Sequence, residues 1–322
     1  MKAFSYYEFG DPSVLVLEDR PAPTAGPAEV AIDVEAIGVN FIDTQLRRNS
    51  APFPSSLPGR PHGDVVGVVS HIGTGVDDVK VGDRVAAWGV SDAYAEVVAV
   101  DRANVVAIPE DIDAAVATAL ASTAQVAYGV LQVGRVARGE VVVVHAAAGA
   151  IGHILVQLAR LAGATVVGTV GSASKADFVR GLGADLVVDY TQPGWDDEIR
   201  ARFGGVDVVC DSVEGSVFEP SLNLLKPFGR LVYFGFAGAG TDTAKASMLS
   251  LLGLKYVVGT SFDAWLAAAP EEAEKGRRVI TDYLRSGELD VALHEVLPLA
   301  EAANAHRIIE NRQQLGRVVL RP

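Results

Sequence analysis

The amino-acid sequence predicts a two-part α/β protein, a doubly wound parallel sheet joined to a small, partly open β-barrel. Three observations predict it. At 322 residues the chain exceeds the size at which single cores usually stop growing, about 250–300 residues. From Glu140 onward, short β-branched runs alternate with helical stretches, the pattern of repeated strand–helix units with right-handed crossovers. Before that point Gly and Pro cut the chain into short strands, which favours a small barrel.

Taken in order, Ala28–Val39 is a β-branched run and Asp64–Gly73 is another. Arg84–Trp88 and Ala93–Val100 read as shorter strands. Turn residues punctuate them at Pro21, Pro23, Gly26, Pro27, Pro58, Gly59, Gly73, Gly75 and Gly82. Asp111–Leu131 is Ala-rich and helical, and bridges the two parts. Val141–Val144, four consecutive valines, predicts a strand buried on both faces. Strands at Ala164–Val170, Asp185–Val188, Val206–Cys210, Arg230–Gly235 and Lys255–Thr260 follow, with a helix from Ser174 to about Leu182. The tail, a helix over Glu271–Ser286 and then Val291–Pro322, lacks the alternation.

The organising stretch is Val141 to Gly152. A small-residue turn, His145-Ala146-Ala147-Ala148-Gly149-Ala150-Ile151-Gly152, separates the valine strand from an apolar helix at Ile154–Leu161. Strand, tight turn and helix start bring backbone N–H groups and the positive end of a helix dipole to one point, where a pyrophosphate can sit. Ala147, Gly149 and Gly152 hold the three glycine positions of the dinucleotide fingerprint, with Ala in the first. An ordinary Gly/Ala-rich turn before a helix is the competing reading, and the surrounding alternation favours the fingerprint.

Composition narrows the partners. A net charge of −13 argues against nucleic acid and against an anionic membrane. The single cysteine, Cys210, excludes an internal disulfide and a multi-cysteine zinc site. The first eight residues lack the apolar core of a signal peptide, and no uninterrupted apolar run reaches spanning length, so the cytoplasm is the expected location.

Several signatures in order carry a resemblance. Gly38-Val39-Asn40-Phe41-Ile42-Asp43-Thr44, then Pro58-Gly59 through Gly63-Asp64-Val65-Val66-Gly67, then Val81-Gly82-Asp83-Arg84-Val85, then His145–Gly152 are similar to those of the zinc-independent medium-chain dehydrogenase/reductases. The chain most resembles the NADPH:quinone oxidoreductases of the zeta-crystallin-like branch, over nearly its whole length. The resemblance implies a GroES-like substrate domain at 1–122 and 264–322, with the tail folding back onto it, around a Rossmann domain at 123–263. It also implies a homodimer, for which the Arg230–Phe236 strand and the Leu249–Val258 stretch offer apolar material; their alternative role is internal core.

In zinc-containing relatives a Cys and a His lead the two early motifs. Here the matching positions are Asn40 and Gly63, neither a useful zinc ligand, so no zinc is expected. His62, one position away, reads as a structural or pocket-lining residue, and neither His71 nor His145 has a Cys or His at metal spacing.

Charge selects the cofactor. An NAD site usually places Asp or Glu at the end of the second strand to hold the ribose hydroxyls. Val170 is instead followed by Gly171-Ser172-Ala173-Ser174-Lys175, with no carboxylate before Asp177. A 2′-phosphate would meet the Ser172 hydroxyl, backbone N–H groups and the Lys175 ammonium, which favours NADPH. Alternatively Ser174 caps the helix and Lys175 is a solvated charge; both can hold together. The resemblance adds Tyr190 to that phosphate site. It further implies that Phe41, Ile42, Asp43, Thr44 and Gln45 run beside the nicotinamide. Gln125, Ser212, Phe234, Gly235, Phe236, Ala237, Val257, Val258, Gly259 and Arg312 match other cofactor-contacting positions, beside Gly149, Ala150, Ile151 and Gly152 of the turn. Plainer roles stand against these: core for Phe41 and Phe234, a turn for Ser212, a surface charge for Arg312. Two residues depart from the family pattern, Gln45 where Tyr is common and Gln125 where Thr is frequent.

The implied activity is reduction of quinones or other conjugated carbonyls. An enoyl or 2-alkenal reductase and a non-enzymatic NADPH-binding protein are the alternatives. Asn40 and Gln45 are the residues expected at the acceptor's oxygen, with Gln125 a weaker candidate.

Overall fold

A computed structural model describes residues 1–238 and 245–322. It divides the chain into two compact units, Met1–Thr123 with Val291–Pro322, and Ala124–Asp290.

The first unit opens with a hairpin, β1 (Lys2–Ser5) and β2 (Val16–Asp19). Its main sheet begins with β3 (Glu29–Val39), eleven residues long, followed by the short helix α1 (Phe41–Arg47). β4 (Gly63–Ile72), β5 (Arg84–Val90), β6 (Val97–Asp101) and β7 (Val105–Ala107) complete the first run. Val65, Val66 and Val69 of β4 are fully buried, and each such side chain contributes about 1.5–3 kcal/mol relative to exposure.

α2 (Ala114–Ala121) and α3 (Thr123–Val133) replace the single bridging helix expected over Asp111–Leu131. The break is at Ser122, whose backbone leaves the helical region at φ −139°. Its hydroxyl donates instead to Asp64 at 2.6 Å, a local alternative to continuing the helix that Ser readily takes. The stretch Ala114–Val133 is long and apolar enough to cross a membrane by composition, and it is mostly buried inside the protein.

The second unit is the alternating part. β8 (Val141–Val144), α4 (Gly152–Leu161), β9 (Thr165–Val170), α5 (Ala176–Gly181), β10 (Leu186–Asp189), α6 (Trp195–Phe203) and β11 (Val206–Asp211) follow one another. α7 (Phe218–Leu224), β12 (Leu225–Tyr233), β13 (Tyr256–Gly259), α8 (Phe262–Ala268) and α9 (Pro270–Ser286) complete it. The six strands run parallel in the order β10-β9-β8-β11-β12-β13. The order reverses beside β8, at the crevice where doubly wound sheets bind their ligands. Val142, Val143 and Val144 are completely buried, as a strand covered on both faces requires.

Residues 264–290, which the sequence reading assigns to the substrate domain, belong to this second unit. The reason is helix packing: a Cβ added at Gly129 would lie 3.1 Å from the Trp265 ring, and one at Gly276 only 2.5 Å from Tyr128. α8 and α9 therefore close over α3 at two glycine contacts.

The chain then returns to the first unit through β14 (Leu293–Pro298), α10 (Ala302–Glu310) and β15 (Arg317–Arg321). β15 pairs antiparallel with β3, so the main sheet has the order β14-β15-β3-β4-β5-β7, with β6 also on β3. This return, with no alternation to announce it, delivers Arg317 to the interior.

Candidate active site

Registers place the second unit's expected cofactor residues along one edge of its sheet. Val144 lies opposite Gly168 and Cys210, Asp211 opposite Tyr233, and Tyr233 opposite Gly259. The turn after β8, Gly171 and Ser172 after β9, Ser212 after β11, Phe234–Ala237 after β12 and Gly259 all stand at carboxyl ends of parallel strands. Val257 and Val258 lie within β13, just before that end.

The turn after β8 is tightly built. Ala146 adopts a left-handed backbone, φ 50°, costing roughly 1–2 kcal/mol for a residue with a Cβ. That conformation brings its carbonyl beneath the loop, where it accepts from Gly149 N–H at 2.9 Å. A Cβ at Gly152 would lie 2.2 Å from the same carbonyl oxygen, so this position requires glycine. The amides of Ala150, Ile151 and Gly152 donate to no backbone carbonyl among the described residues, as expected where a helix begins. These are the donors a pyrophosphate needs.

His145 has a structural task at the root of this turn. Ser221 Oγ donates to Val217 O at 2.6 Å, so it accepts from His145 Nε2–H at 2.8 Å. Nδ1 then accepts from the Thr169 hydroxyl at 2.7 Å. Burial holds the ring's pKa below its ordinary value, keeping it neutral, and the imidazole ties β8 to β9 and α7.

The corner after β9 combines small residues with one cation. Ser172 caps the following turn, its hydroxyl facing the N–H of Ser174 and lying 2.9 Å from the Ser174 hydroxyl. A Cβ at Gly171 would come 2.8 Å from the Tyr190 hydroxyl, so glycine here brings the chain against Tyr190. Ser172, Lys175 and Tyr190 thus lie in one corner of the unit, Lys175 within the turn that Ser172 caps. Gly171 is exposed and the other three are half-buried. After β11 and β12, Ala237 N–H donates to Ser212 O at 3.0 Å, and a Cβ on Gly235 would crowd Ser212 at 3.2 Å. Ser212 therefore braces the Phe234–Ala237 segment.

Asn40 in the first unit follows β3 and caps α1. Its backbone N–H donates to Asp43 Oδ2 at 2.8 Å, and its side-chain Nδ2 donates to Asp64 Oδ2 at 3.2 Å. Asp64 also receives the Ser122 hydroxyl and Arg317 Nη2, the latter at 3.4 Å. Burial pushes the Asp64 carboxyl up, and Arg317 opposes the shift. Burial likewise raises Asp43 well above the carboxylate range. Gly63 is closely packed: a Cβ would lie 3.0 Å from Ala93 and 3.1 Å from the Gly38 carbonyl oxygen, which would have to give by a few tenths of an ångström. Among the described residues no group of three His, Cys, Asp or Glu side chains stands where it could hold a metal.

Other expected contacts find different partners. Asp43 and Thr44 are buried and serve α1 itself, Thr44 donating from its hydroxyl to Phe41 O at 2.7 Å. Phe41 packs on the first unit's core. Gln45 is half-buried and its Oε1 is enclosed without a hydrogen-bond partner, while Nε2 is not so enclosed. Gln125, expected at the cofactor or the acceptor's oxygen, is fully buried. With its amide oxygen and nitrogen exchanged, it would donate to Ala273 O and accept from Arg277 N–H, both at 3.1 Å, the two groups that an α-helix pairs with each other. In that orientation the amide would wedge α3 against α9. Arg312 is exposed in the turn after α10, with φ 52°. The partners that sequence reasoning missed are Ser122 and Arg317. The basic residue in a β-branched run, Arg317-Val318-Val319-Leu320, was the one available signal.

Known proteins share this arrangement. Residues 26–110 match the model of the alcohol dehydrogenase GroES-like domain, and 150–275 match that of the zinc-binding dehydrogenases. The chain is 33% identical to a quinone oxidoreductase of Pseudomonas aeruginosa, covering 100% of this chain and 99% of that protein. The chain belongs to the quinone oxidoreductase family. A 2-haloacrylate reductase of a Burkholderia species is 32% identical over 97% of this chain and 96% of its own length. The solved structure of Escherichia coli quinone oxidoreductase complexed with NADPH superimposes with a TM-score of 0.92 at 30% identity, covering 100% of both chains. Membership in the quinone oxidoreductase family accounts for the Rossmann and GroES-like architecture.

Proposed function

We propose that this protein is an NADPH-dependent reductase of quinones and other conjugated carbonyl acceptors that works without zinc. The observation that carries the reading is Asn40. An amide, its nitrogen fixed by a buried carboxylate, stands where a metal ligand would be required, and Gly63 brings no side chain to serve as a second ligand.

The residues fit the cofactor. Ala150, Ile151 and Gly152 would donate backbone N–H groups to its pyrophosphate, and Ser172, Lys175 and Tyr190 would hold the 2′-phosphate. NADPH supplies a hydride when bound. Reduction of a saturated ketone places a full charge on one alkoxide oxygen, which usually needs a metal or a positioned acid. Hydride addition to a quinone, or to the β-carbon of an enone, spreads that charge through a conjugated anion. The free N–H of Asn40 Nδ2 and the Gln45 amide suffice to donate to its oxygen, and water returns the proton that completes the reduction.

Asn40→Ala should therefore lower kcat/KM by about 10- to 1000-fold, the scale of losing an oxyanion donor, with NADPH affinity nearly unchanged. Full activity in this variant, measured by NADPH oxidation with a quinone, would remove Asn40 from the mechanism.

The 2-haloacrylate reductase relative supports activated-alkene reduction as a second reading, since an acrylate is also a conjugated acceptor. We infer a cytoplasmic homodimer as the working form. β13 has β12 on one side and no strand on the other among the described residues. Around that edge Phe228, Met248, Leu249, Leu252, Leu254 and Tyr256 are exposed, an apolar patch suited to a second copy. The Arg230–Tyr233 part of the other stretch lies inside the sheet, between β11 and β13, with Leu231 and Val232 fully buried. A monomer mass by light scattering at micromolar concentration would contradict the dimer.

A further inference from the structure

The strongest unexplained feature is a buried ionic cluster behind Asn40. Arg317 is completely buried, and a guanidinium in that position is costly unless each of its groups is satisfied. It is satisfied by residues far apart in sequence. Nε donates to Thr118 Oγ1 at 3.2 Å, Nη1 to Thr123 Oγ1 at 2.5 Å, and Nη2 to Asp64 Oδ2 at 3.4 Å. The surroundings are cut to fit it: a Cβ on Gly38 would lie 1.9 Å from Arg317 Nη2. Gly38 stands two residues before Asn40 on the same chain segment.

All three donors to Asp64 converge on one oxygen, Oδ2: the Ser122 hydroxyl, Arg317 Nη2 and Asn40 Nδ2. The first two come from inside the cluster and hold the carboxylate. The third belongs to a half-exposed side chain at the end of β3. An amide can present either its nitrogen or its oxygen to a neighbour, and the two ends differ little in size. A carboxylate accepts only from the nitrogen. It thereby settles which way the Asn40 amide faces, and it consumes one of the two N–H groups while leaving the other.

We propose that Asp64, gripped by Arg317 and Ser122, is the positioning residue that orients the Asn40 amide for reduction of the acceptor. The proposal rests on the reading of Asn40 as a donor to the acceptor's oxygen. Asp64 and Arg317 are both buried, so in this proposal they act through the half-exposed Asn40. Lone core packing would explain the burial of Arg317 but not an amide drawn onto the same carboxylate oxygen.

A double-mutant cycle tests it, using the full chain, NADPH and 1,4-benzoquinone. Asp64→Asn keeps the shape and removes the charge, so the facing group can accept or donate and the Asn40 amide is no longer held one way. We expect kcat to fall about 10-fold or more, with KM for NADPH changed less than about twofold. In an Asn40→Ala background the same change should move kcat by less than about twofold, because no amide remains to orient. Equal losses in both backgrounds, or unchanged kcat in Asp64→Asn alone, overturn the positioning role. Full activity in Asn40→Ala overturns the donor reading, and this proposal with it, so the two failures are told apart by which arm reports them. Should Asp64→Asn leave Arg317 too poorly paired to fold, Ser122→Ala carries the cycle. It is expected to lower kcat about threefold alone and not at all beside Asn40→Ala; equal losses overturn the proposal in the same way.

Discussion

The two ends of this protein's chemistry are built from different materials. The end of the second unit proposed to hold the cofactor is made of backbone: a left-handed Ala146, amides at the start of α4, and glycines where a Cβ would strike a carbonyl or a phenol. Its defining segment spans eight consecutive residues, His145–Gly152. The polar centre of the first unit is made of side chains. Asp64 meets Asn40, Ser122 and Arg317 across 24, 58 and 253 residues of chain. Backbone recognition needs small residues at fixed local spacing, whereas a buried ionic cluster needs only that the fold bring its members together. The first tolerates no added atom, and the second should tolerate changes that keep charge and hydrogen bonding balanced.

The largest effect that would sharpen this contrast is at Gly152. A Cβ there would stand 2.2 Å from Ala146 O and 2.8 Å from the Ala147 Cα, both backbone atoms that cannot swing aside. Gly152→Ala should weaken NADPH by about 100-fold or more in a fluorescence titration, since the turn must open to admit the methyl. Binding within a few-fold of the unmutated protein would show that the turn is not the phosphate cradle.

Next in size is the charge that distinguishes the cofactors. Losing a charge-assisted contact to phosphate costs about 1.5–3 kcal/mol, so Lys175→Ala should weaken NADPH by roughly 10- to 150-fold. NADH, which lacks the 2′-phosphate, should be little affected. Equal losses for both cofactors would reassign Lys175 to a role in folding.

The smallest effect concerns acid stability in the first unit. His306 is buried with its Nε2 2.9 Å from the Tyr94 hydroxyl, and burial pushes its pKa down to about 3. The unfolded chain takes up a proton near pH 6.5, where the folded ring still refuses it. Stability should therefore fall as pH drops from about 6.5 toward 3, by at most about 1.4 kcal/mol per pH unit from this ring. Neutral, buried His145 adds to the loss. Asp43 and Asp64 oppose it, because burial raises their folded pKa values and acidification relieves that strain. The contribution of His306 is the difference between the unmutated protein and His306→Gln in urea midpoints from pH 7 to pH 5. The variant should show the shallower decline; identical slopes would mean that the folded ring is already charged.

What was legible in the sequence follows the same division. β3 and β4 are read to within a residue at each end, because their β-branched runs are bounded by turns. The valine run and its small-residue turn give β8, the start of α4 and the parallel sheet together. Features set by distant partners were not legible. The bridge helix breaks at Ser122 because Asp64, far earlier in the chain, takes its hydroxyl. Residues 264–290 join the second unit because Gly129 and Gly276 admit Trp265 and Tyr128. The full burial of Gln125 was not legible either, since α9, which covers it, lies far along the chain. The burial of Arg317 depends on β15 lying against β3, a pairing that no local pattern announces.

The account turns on one chemical distinction, that amide donors suffice for a delocalised anion and not for a localised alkoxide. Initial rates of NADPH oxidation by the unmutated protein across matched quinones, enones and saturated ketones test it most directly. Quinones or enones should be turned over well, and saturated ketones of similar size scarcely at all. Saturated ketones reduced as fast as the conjugated acceptors would contradict it.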